Sequence, residues 1–310
     1  MAETNADKQI IDDELQKAKA YFTGIYEVRR PPLKRAAYSD RTAFVMASMA
    51  HLAYDPYEMG DREKRLFEAK LKSGGFTLID IFNSDVTDTQ AFLARNEEYA
   101  ILSFRGTEVT KKKDILADAE ALKVSMIEGG VHRGFLKAYN SVKDEIEESL
   151  KKVLGLPIYI TGHSLGAALA TVATNYLEEV MIDKAPLRDQ IAACYTFGSP
   201  RVGNGEFNKE FRSPIYRVIN TTDIVTVVPL LAMGYIHIGD VRFLGKGDRD
   251  IQSGMPIVQR TLFFLATIFR LFGPLVGDHG IVKYRDKLAK VAEERSTKIL
   301  FKDARSGGKY

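Results

Sequence analysis

The chain has 310 residues, 45% of them apolar and 27% charged, with a formal net charge of +3. That balance is ordinary for a globular protein, the length allows one large α/β domain or two smaller ones, and the small charge gives no reason to expect a nucleic-acid partner. Its single cysteine, Cys194, rules out an internal disulfide and sits in the apolar run Ala192-Ala193-Cys194-Tyr195, where a buried packing role fits best.

In chain order, residues 1–35 predict a charged helical extension followed by a connector containing Pro31-Pro32. The first 20 residues alternate acidic and basic side chains and lack the apolar core of a secretory signal, which points to a cytoplasmic protein or one exported by a non-classical route. Residues 36–54 carry Ala43, Ala47, Ala50 and Tyr54 at helical spacing, with Phe44, Met46 and Met49 widening the face. Strand-like segments follow at 76–82, 90–94 and 99–104. Residues 133–154 predict one helix, ended by Gly155 and by Pro157 beyond it. A β-branched and aromatic run, Ile158 to Thr161, then enters Gly162-His163-Ser164-Leu165-Gly166, and an alanine-rich helical pattern leaves it. Tyr195 to Phe197 and Ile215 to Ile219 predict short buried strands, and Gly234 to Leu244 a further strand near an edge. Residues 257–276 form the most apolar stretch and predict a helix. Arg260, Arg270 and the break at Gly273-Pro274 argue against its spanning a bilayer. Strands alternate with helices without a composition break or a repeat, so residues 1–310 read as a single α/β domain.

The strand–turn–helix context of Gly162 to Gly166 is the one that a nucleophile elbow requires: the turn strains its central residue, and the two glycines leave room for it. A serine hydroxyl there needs a base to take its proton, a carboxylate to orient the base, and donors for a developing oxyanion. With chain order serine, acid, histidine, the search falls on residues after 164. His237 lies in the alternating pattern Gly234 to Gly239, which favours a partly buried structural histidine. His279 lies in the loop Gly277-Asp278-His279-Gly280 before an amphipathic stretch and is the preferred base. Asp223, just past the strand Ile215 to Ile219, is the preferred acid. Asp240, Asp248 and Asp250 read as solvated loop charges, and Asp278 is too near His279 in sequence to face it. The oxyanion donors are the N–H of Leu165 and a group on the turn Phe104-Arg105-Gly106-Thr107-Glu108, where Thr107 offers both an N–H and a hydroxyl.

Taken together these segments resemble the class 3 lipases, the filamentous-fungal triacylglycerol lipases and their bacterial relatives. The matching stretches are Phe104 to Thr107, Val131-His132-Arg133-Gly134-Phe135, Gly162 to Ala170, Thr196 to Asn204, Asp223-Ile224-Val225 and Asp278-His279, in family order across residues 90–285. The resemblance implies an α/β-hydrolase fold with a mostly parallel sheet, helices on both faces and a short helical lid. It also implies acyl-ester hydrolysis without a metal or other cofactor, on acylglycerols or related lipid esters. It assigns nucleophile, acid and base to Ser164, Asp223 and His279, and an oxyanion role to Thr107. A phospholipase A1 or an esterase of the same fold is the alternative, and a catalytically silent binding protein a more distant one. The lid would occupy residues 108–130, where Ile115, Leu116, Ala119 and Leu122 share one helical face. The 257–276 helix would pack over the core, line the acyl pocket or rest on lipid. Two departures stand out: the chain has no tryptophan, and it lacks the family's disulfides and secretory signal.

Overall fold

The computed structural model describes residues 5–22, 36–55, 60–106, 127–128, 130–220, 223–227, 234–245, 251–253 and 279–305. Thr107, nearly all of the 108–130 segment, the 257–276 segment and the Pro31-Pro32 connector lie outside them. Helices α1 (Asn5–Lys19), α2 (Asp40–Leu52) and α3 (Asp61–Ser73) precede strands β1 (Thr77–Ser84), β2 (Thr89–Arg95) and β3 (Ala100–Phe104). A short pair, β4 (Ile127–Glu128) and β5 (Val131–His132), leads into α4 (Arg133–Asn140) and α5 (Lys143–Leu150). Strand β6 (Ile158–His163) runs into α6 (Leu165–Glu178), and a second short pair follows, β7 (Met181–Ile182) and β8 (Ala185–Pro186). Then come β9 (Ile191–Phe197), α7 (Gly205–Lys209), β10 (Ile215–Asn220), β11 (Asp240–Leu244), β12 (Ile251–Ser253) and α8 (Ile281–Arg305).

One sheet organises the described residues, with strand order β1-β2-β3-β6-β9-β10-β11-β12. Its first three strands form an antiparallel meander, β3 through β11 are parallel, and β12 closes the far edge antiparallel. Parallel neighbours require crossovers; the helices that supply them, α4 to α7, cover one face, and α2 and α8 cover the other, so the central strands are buried throughout. On β6, Ile158 and Ile160 point to one face and Tyr159 to the other, following the two-residue period of a strand. The Ile158 and Ile160 face packs against Phe135 and Tyr139 of α4, Ile146 of α5, and Ala168, Val172 and Leu177 of α6. The Tyr159 face packs against Ala43, Met46, Ala47 and Ala50 of α2, with Tyr284 and Leu288 of α8 completing that layer. The small residues of α2 and α6 let both helices lie close on the sheet.

Two sequence expectations change in detail. The helix expected over 133–154 is interrupted: Ser141 turns its hydroxyl back onto the Ala138 carbonyl at 2.8 Å, Val142 leaves helical geometry at φ −127°, and the chain restarts as α5 and a 3₁₀ turn at Lys151–Val153. Of the strand expected over Gly234 to Leu244, only Asp240–Leu244 pairs in the sheet as β11. The first half instead runs along the loop after β9, with the Ile236 N–H on the Gly203 carbonyl at 2.8 Å. Helix α3 carries a narrow apolar stripe of Phe67 and Leu71 on an otherwise charged segment, a weak pattern that sequence reading passes over.

The end of α6 is fastened to the turn entering β10 by a buried carboxylate. Glu178 ends α6, where the helix dipole disfavours an acid, yet it is 1% exposed. Its carboxylate accepts from the N–H groups of Arg212 at 3.0 Å and Ser213 at 2.6 Å, at the turn entering β10. Replacing Glu178 with Ala leaves two N–H groups without this partner, and should lower the unfolding free energy by about 2–3 kcal/mol. Urea denaturation checks this; a change below about 0.5 kcal/mol, the size of a neutral surface substitution, would show that the carboxylate fastens nothing.

Candidate active site

The candidate site lies at the carboxyl edge of the parallel strands, where β6 turns into α6. Ser164 holds the turn at φ 57° and ψ −126°, a region that side chains rarely occupy. Its N–H donates to the Phe197 carbonyl at 3.0 Å, which locks the turn onto the neighbouring strand β9. The turn is so tight that a Cβ on Gly162 would collide with the Gly166 carbonyl, so the two glycines are what the backbone crossing requires. The hydroxyl of Ser164 is thereby lifted clear of β6, at the N-terminus of α6.

Two distant segments converge on that hydroxyl. His279, at the entry to α8, brings its Nε2 to 2.8 Å from Ser164 Oγ. Its Nδ1 lies 2.9 and 3.0 Å from the two carboxylate oxygens of Asp223. A carboxylate only accepts, so Nδ1 carries the ring proton and Nε2 is left as the acceptor for the Ser164 hydroxyl. Asp223 follows β10 in a turn closed by its own N–H to the Asn220 carbonyl at 2.9 Å, and is fully buried. Its Oδ1 also accepts from the Val225 N–H at 3.0 Å, and its Oδ2 from the Tyr284 hydroxyl at 2.5 Å. Burial alone would raise the Asp223 carboxyl; attraction to His279 and the hydrogen bonds from His279 and Tyr284 outweigh it and hold it below its ordinary value. The carboxylate is therefore kept charged although fully buried.

The structure thus joins Ser164, His279 and Asp223 in one hydrogen-bonded chain. Leu165 opens α6, so its N–H belongs to the first-turn amides that have no acceptor within the helix, at the positive end of its dipole. Thr107 lies outside the described residues. Its neighbour Gly106 runs beside the elbow, where a Cβ would come within 3.3 Å of Ser164 Cβ. His237 is not part of this chain: its ring bonds to the backbone of Thr226, and burial together with the charges of Arg217 and Arg201 keeps it neutral. Asp240 is exposed and stands 4.0 Å from Arg242, while Asp248, Asp250 and Asp278 lie outside the described residues.

Sequence reasoning missed Tyr284 and Gly198. Tyr284 sits in the first turns of α8, five residues after His279, and the only local signal is an aromatic within a turn and a half of that histidine. Gly198 follows β9 so closely behind the pair that a Cβ there would come 2.6 Å from Asp223 Oδ2 and 2.9 Å from His279 Nδ1.

Residues 101–233 match the family described as Lipase (class 3). Over 177 residues the chain is 31% identical to a secreted mono- and diacylglycerol lipase A of Penicillium cyclopium, covering 54% of this chain and 55% of that protein. It is 36% identical over 112 residues to a chloroplastic phospholipase A(1) of Arabidopsis thaliana, covering 32% of this chain and 24% of that one. The chain therefore spans about half the length, or less, of these curated relatives. The crystal structure of a lipase from Rhizopus microsporus var. chinensis superposes with a TM-score of 0.55 at 23% identity, over 83% of this chain and 94% of that one, which shows the shared α/β-hydrolase fold. Among the described residues no helix is long and apolar enough to cross a membrane.

The buried histidines set an acid limit on stability. Burial, with the neighbouring His279 ring, pushes His163 down to about 3, and burial with the charges of Arg285 and Lys70 pushes His51 down to about 4. Each is neutral in the fold but titrates near ~6.5 when unfolded, so below that pH the unfolded chain binds more protons and the fold loses stability. The lowered Asp223 works at more acid pH: its contribution is complete above the unfolded value near ~3.9 and is lost as pH falls through its folded value. Thermal unfolding should therefore show a Tm that falls steadily from pH 7 to pH 5, by about 1.4 kcal/mol of stability per pH unit for His163 alone once below its unfolded value. A flat Tm over that interval would contradict the neutral buried assignment.

Proposed function

We propose that the chain, whose residues 101–233 match the class 3 lipase family, is a serine carboxylester hydrolase acting on acylglycerols through an acyl-enzyme. The observation that carries the reading is the unbroken hydrogen-bonded chain from Ser164 Oγ through His279 to Asp223, at an elbow whose backbone strain has no other evident use. Ser164 Oγ attacks the ester carbonyl carbon while His279 Nε2 takes its proton. Asp223 holds the ring in the required tautomer and stabilises the imidazolium that forms. The oxyanion is met by the N–H of Leu165 and by Thr107, at the N-terminus of α6. As the tetrahedral intermediate collapses, His279 returns the proton to the leaving alcohol. A water then attacks the acyl-serine and gives its proton to His279, which returns it to Ser164 Oγ as the bond to the acyl carbon breaks and the fatty acid leaves.

The single-domain reading of residues 1–310, a lid over 108–130 and an apolar helix over 257–276 belong to the same proposal. So does peripheral contact with a lipid surface, made through the apolar faces of those two segments. The similarity to a phospholipase A(1) favours one second reading, in which the ester belongs to a phospholipid. A catalytically silent binding protein is disfavoured, because such proteins need none of the three side chains to be aligned.

Hydrolysis of p-nitrophenyl esters from two to eighteen carbons, beside a triolein emulsion and phosphatidylcholine vesicles, tests the reading. Wild type should release fatty acid from triolein faster than from phosphatidylcholine, and Ser164→Ala should lower kcat by at least about 10⁴-fold on every ester. Preference for phosphatidylcholine would move the assignment to the phospholipase reading. Activity that survives Ser164→Ala would overturn the mechanism.

A further inference from the structure

Two side chains outside the reacting three close on the base from behind. His163, the last residue of β6, is 4% exposed and stacks on His279 with ring centroids 4.5 Å apart and planes inclined by 34°. Its Nε2 lies 2.6 Å from the backbone carbonyl oxygen of His279, and its Nδ1 lies 2.7 Å from the hydroxyl of Tyr54. A carbonyl can only accept, so Nε2 carries the proton. Nδ1 is then an acceptor, and the Tyr54 hydroxyl donates to it. Both ring nitrogens are committed, one to the base and one to the turn that ends α2. Tyr54 itself packs against the end of β3, where a Cβ on Gly106 would run into its hydroxyl.

This arrangement does what a merely buried histidine has no need to do. His163 is bonded covalently to the nucleophile and by hydrogen bond to the backbone of the base, so one residue sets the spacing of both reacting groups. His279 follows a long connection from β12, and its ring is otherwise held from the Asp223 side. The His163 N–H is the contact that fixes its main chain from the opposite side.

We propose that Tyr54 and His163 form a positioning pair that holds the His279 main chain, and with it the imidazole, at proton-transfer distance from Ser164. Tyr54 keeps the Nδ1 lone pair of His163 occupied, which preserves the tautomer that donates to His279 and leaves the stacked ring uncharged when His279 takes the serine proton. A charged neighbour would oppose that proton transfer. The pair touches no reacting atom and acts only through the base. The proposal rests on the reading of Ser164, Asp223 and His279 as the reacting groups.

The test uses the full chain and p-nitrophenyl butyrate, with Tm recorded for each variant. Turnover by wild type that vanishes in Ser164→Ala establishes the underlying reading; if it fails, that reading fails, and the positioning role with it. With that turnover in hand, His163→Leu removes the donor to His279, His163→Gln keeps a side-chain N–H able to reach the same carbonyl, and Tyr54→Phe deletes one oxygen. Since an error of about 1 Å in placement costs on the order of 10²-fold in rate, kcat of His163→Leu should fall about 10²-fold with KM changed less than about threefold. His163→Gln should recover to within about tenfold of wild type. Tyr54→Phe should lose roughly threefold to tenfold in kcat at pH 8 and more at pH 5.5, because Nδ1 freed of its donor takes up a proton more readily. The proposal is overturned if His163→Gln is as slow as His163→Leu at equal Tm, if the loss falls on KM, or if Tyr54→Phe matches wild type at both pH values. Should His163→Leu not fold, Tyr54→Phe decides alone.

Discussion

A strained peptide turn at Ser164 is the constraint on which the rest of this edge depends. The residue occupies φ 57° and ψ −126° because β6 must reverse into α6 within a single residue while its N–H stays on the Phe197 carbonyl. Conformations of this kind cost about 1–3 kcal/mol and persist only where the surroundings over-determine them. Here the surroundings are the parallel pairings of β6 with β3 and β9, and a helix of small residues packed directly on the sheet. The strain lifts one hydroxyl out of the backbone plane at the positive end of a helix. Everything else at the site is arranged to meet it.

What meets it is a set of polar groups with almost no exposed surface. Asp223 has no exposed surface, and a carboxylate so placed is tolerable only when its oxygens are saturated. The imidazole of His279, the hydroxyl of Tyr284 and the N–H of Val225 supply that saturation, and the same bonds aim Asp223 at His279. Tyr284 also accepts from the Asn220 N–H at 3.1 Å, so the turn carrying Asp223 and the helix following His279 are joined through one phenol. Stability and alignment are served by the same contacts, and deleting any one of them disturbs both.

Legibility in the sequence followed locality. The elbow could be read because its strand, its glycines and its helix are contiguous, and because a strained turn admits few residue types. Asp223 and His279 could be chosen because chain order and position beyond a strand narrow the field, even though 56 residues separate them. Partnerships that exist only through space left no such trace. Tyr54 reaches His163 across 109 positions, and nothing in the run from Ala36 to Tyr54 distinguishes that phenol from the other apolar residues of its face. The break at Ser141 was hidden because a serine turning its hydroxyl onto its own helix leaves the apolar period of the segment intact. The first half of the Gly234 to Leu244 segment alternates like a strand but bonds to the loop at Gly203, a choice made by the tertiary packing.

The central claim is that the Ser164 hydroxyl alone is activated, and that its activation comes from His279 held by Asp223. Rates of covalent labelling by a fluorophosphonate, with the modified peptide identified by mass spectrometry, test it most directly. The account predicts a single adduct at Ser164, formed at least about 10³-fold more slowly in both Asp223→Asn and His279→Ala, since the oxyanion donors alone retain only the residual part of the rate enhancement. An adduct on a different serine, or labelling of Ser164 at an undiminished rate in either variant, would contradict it.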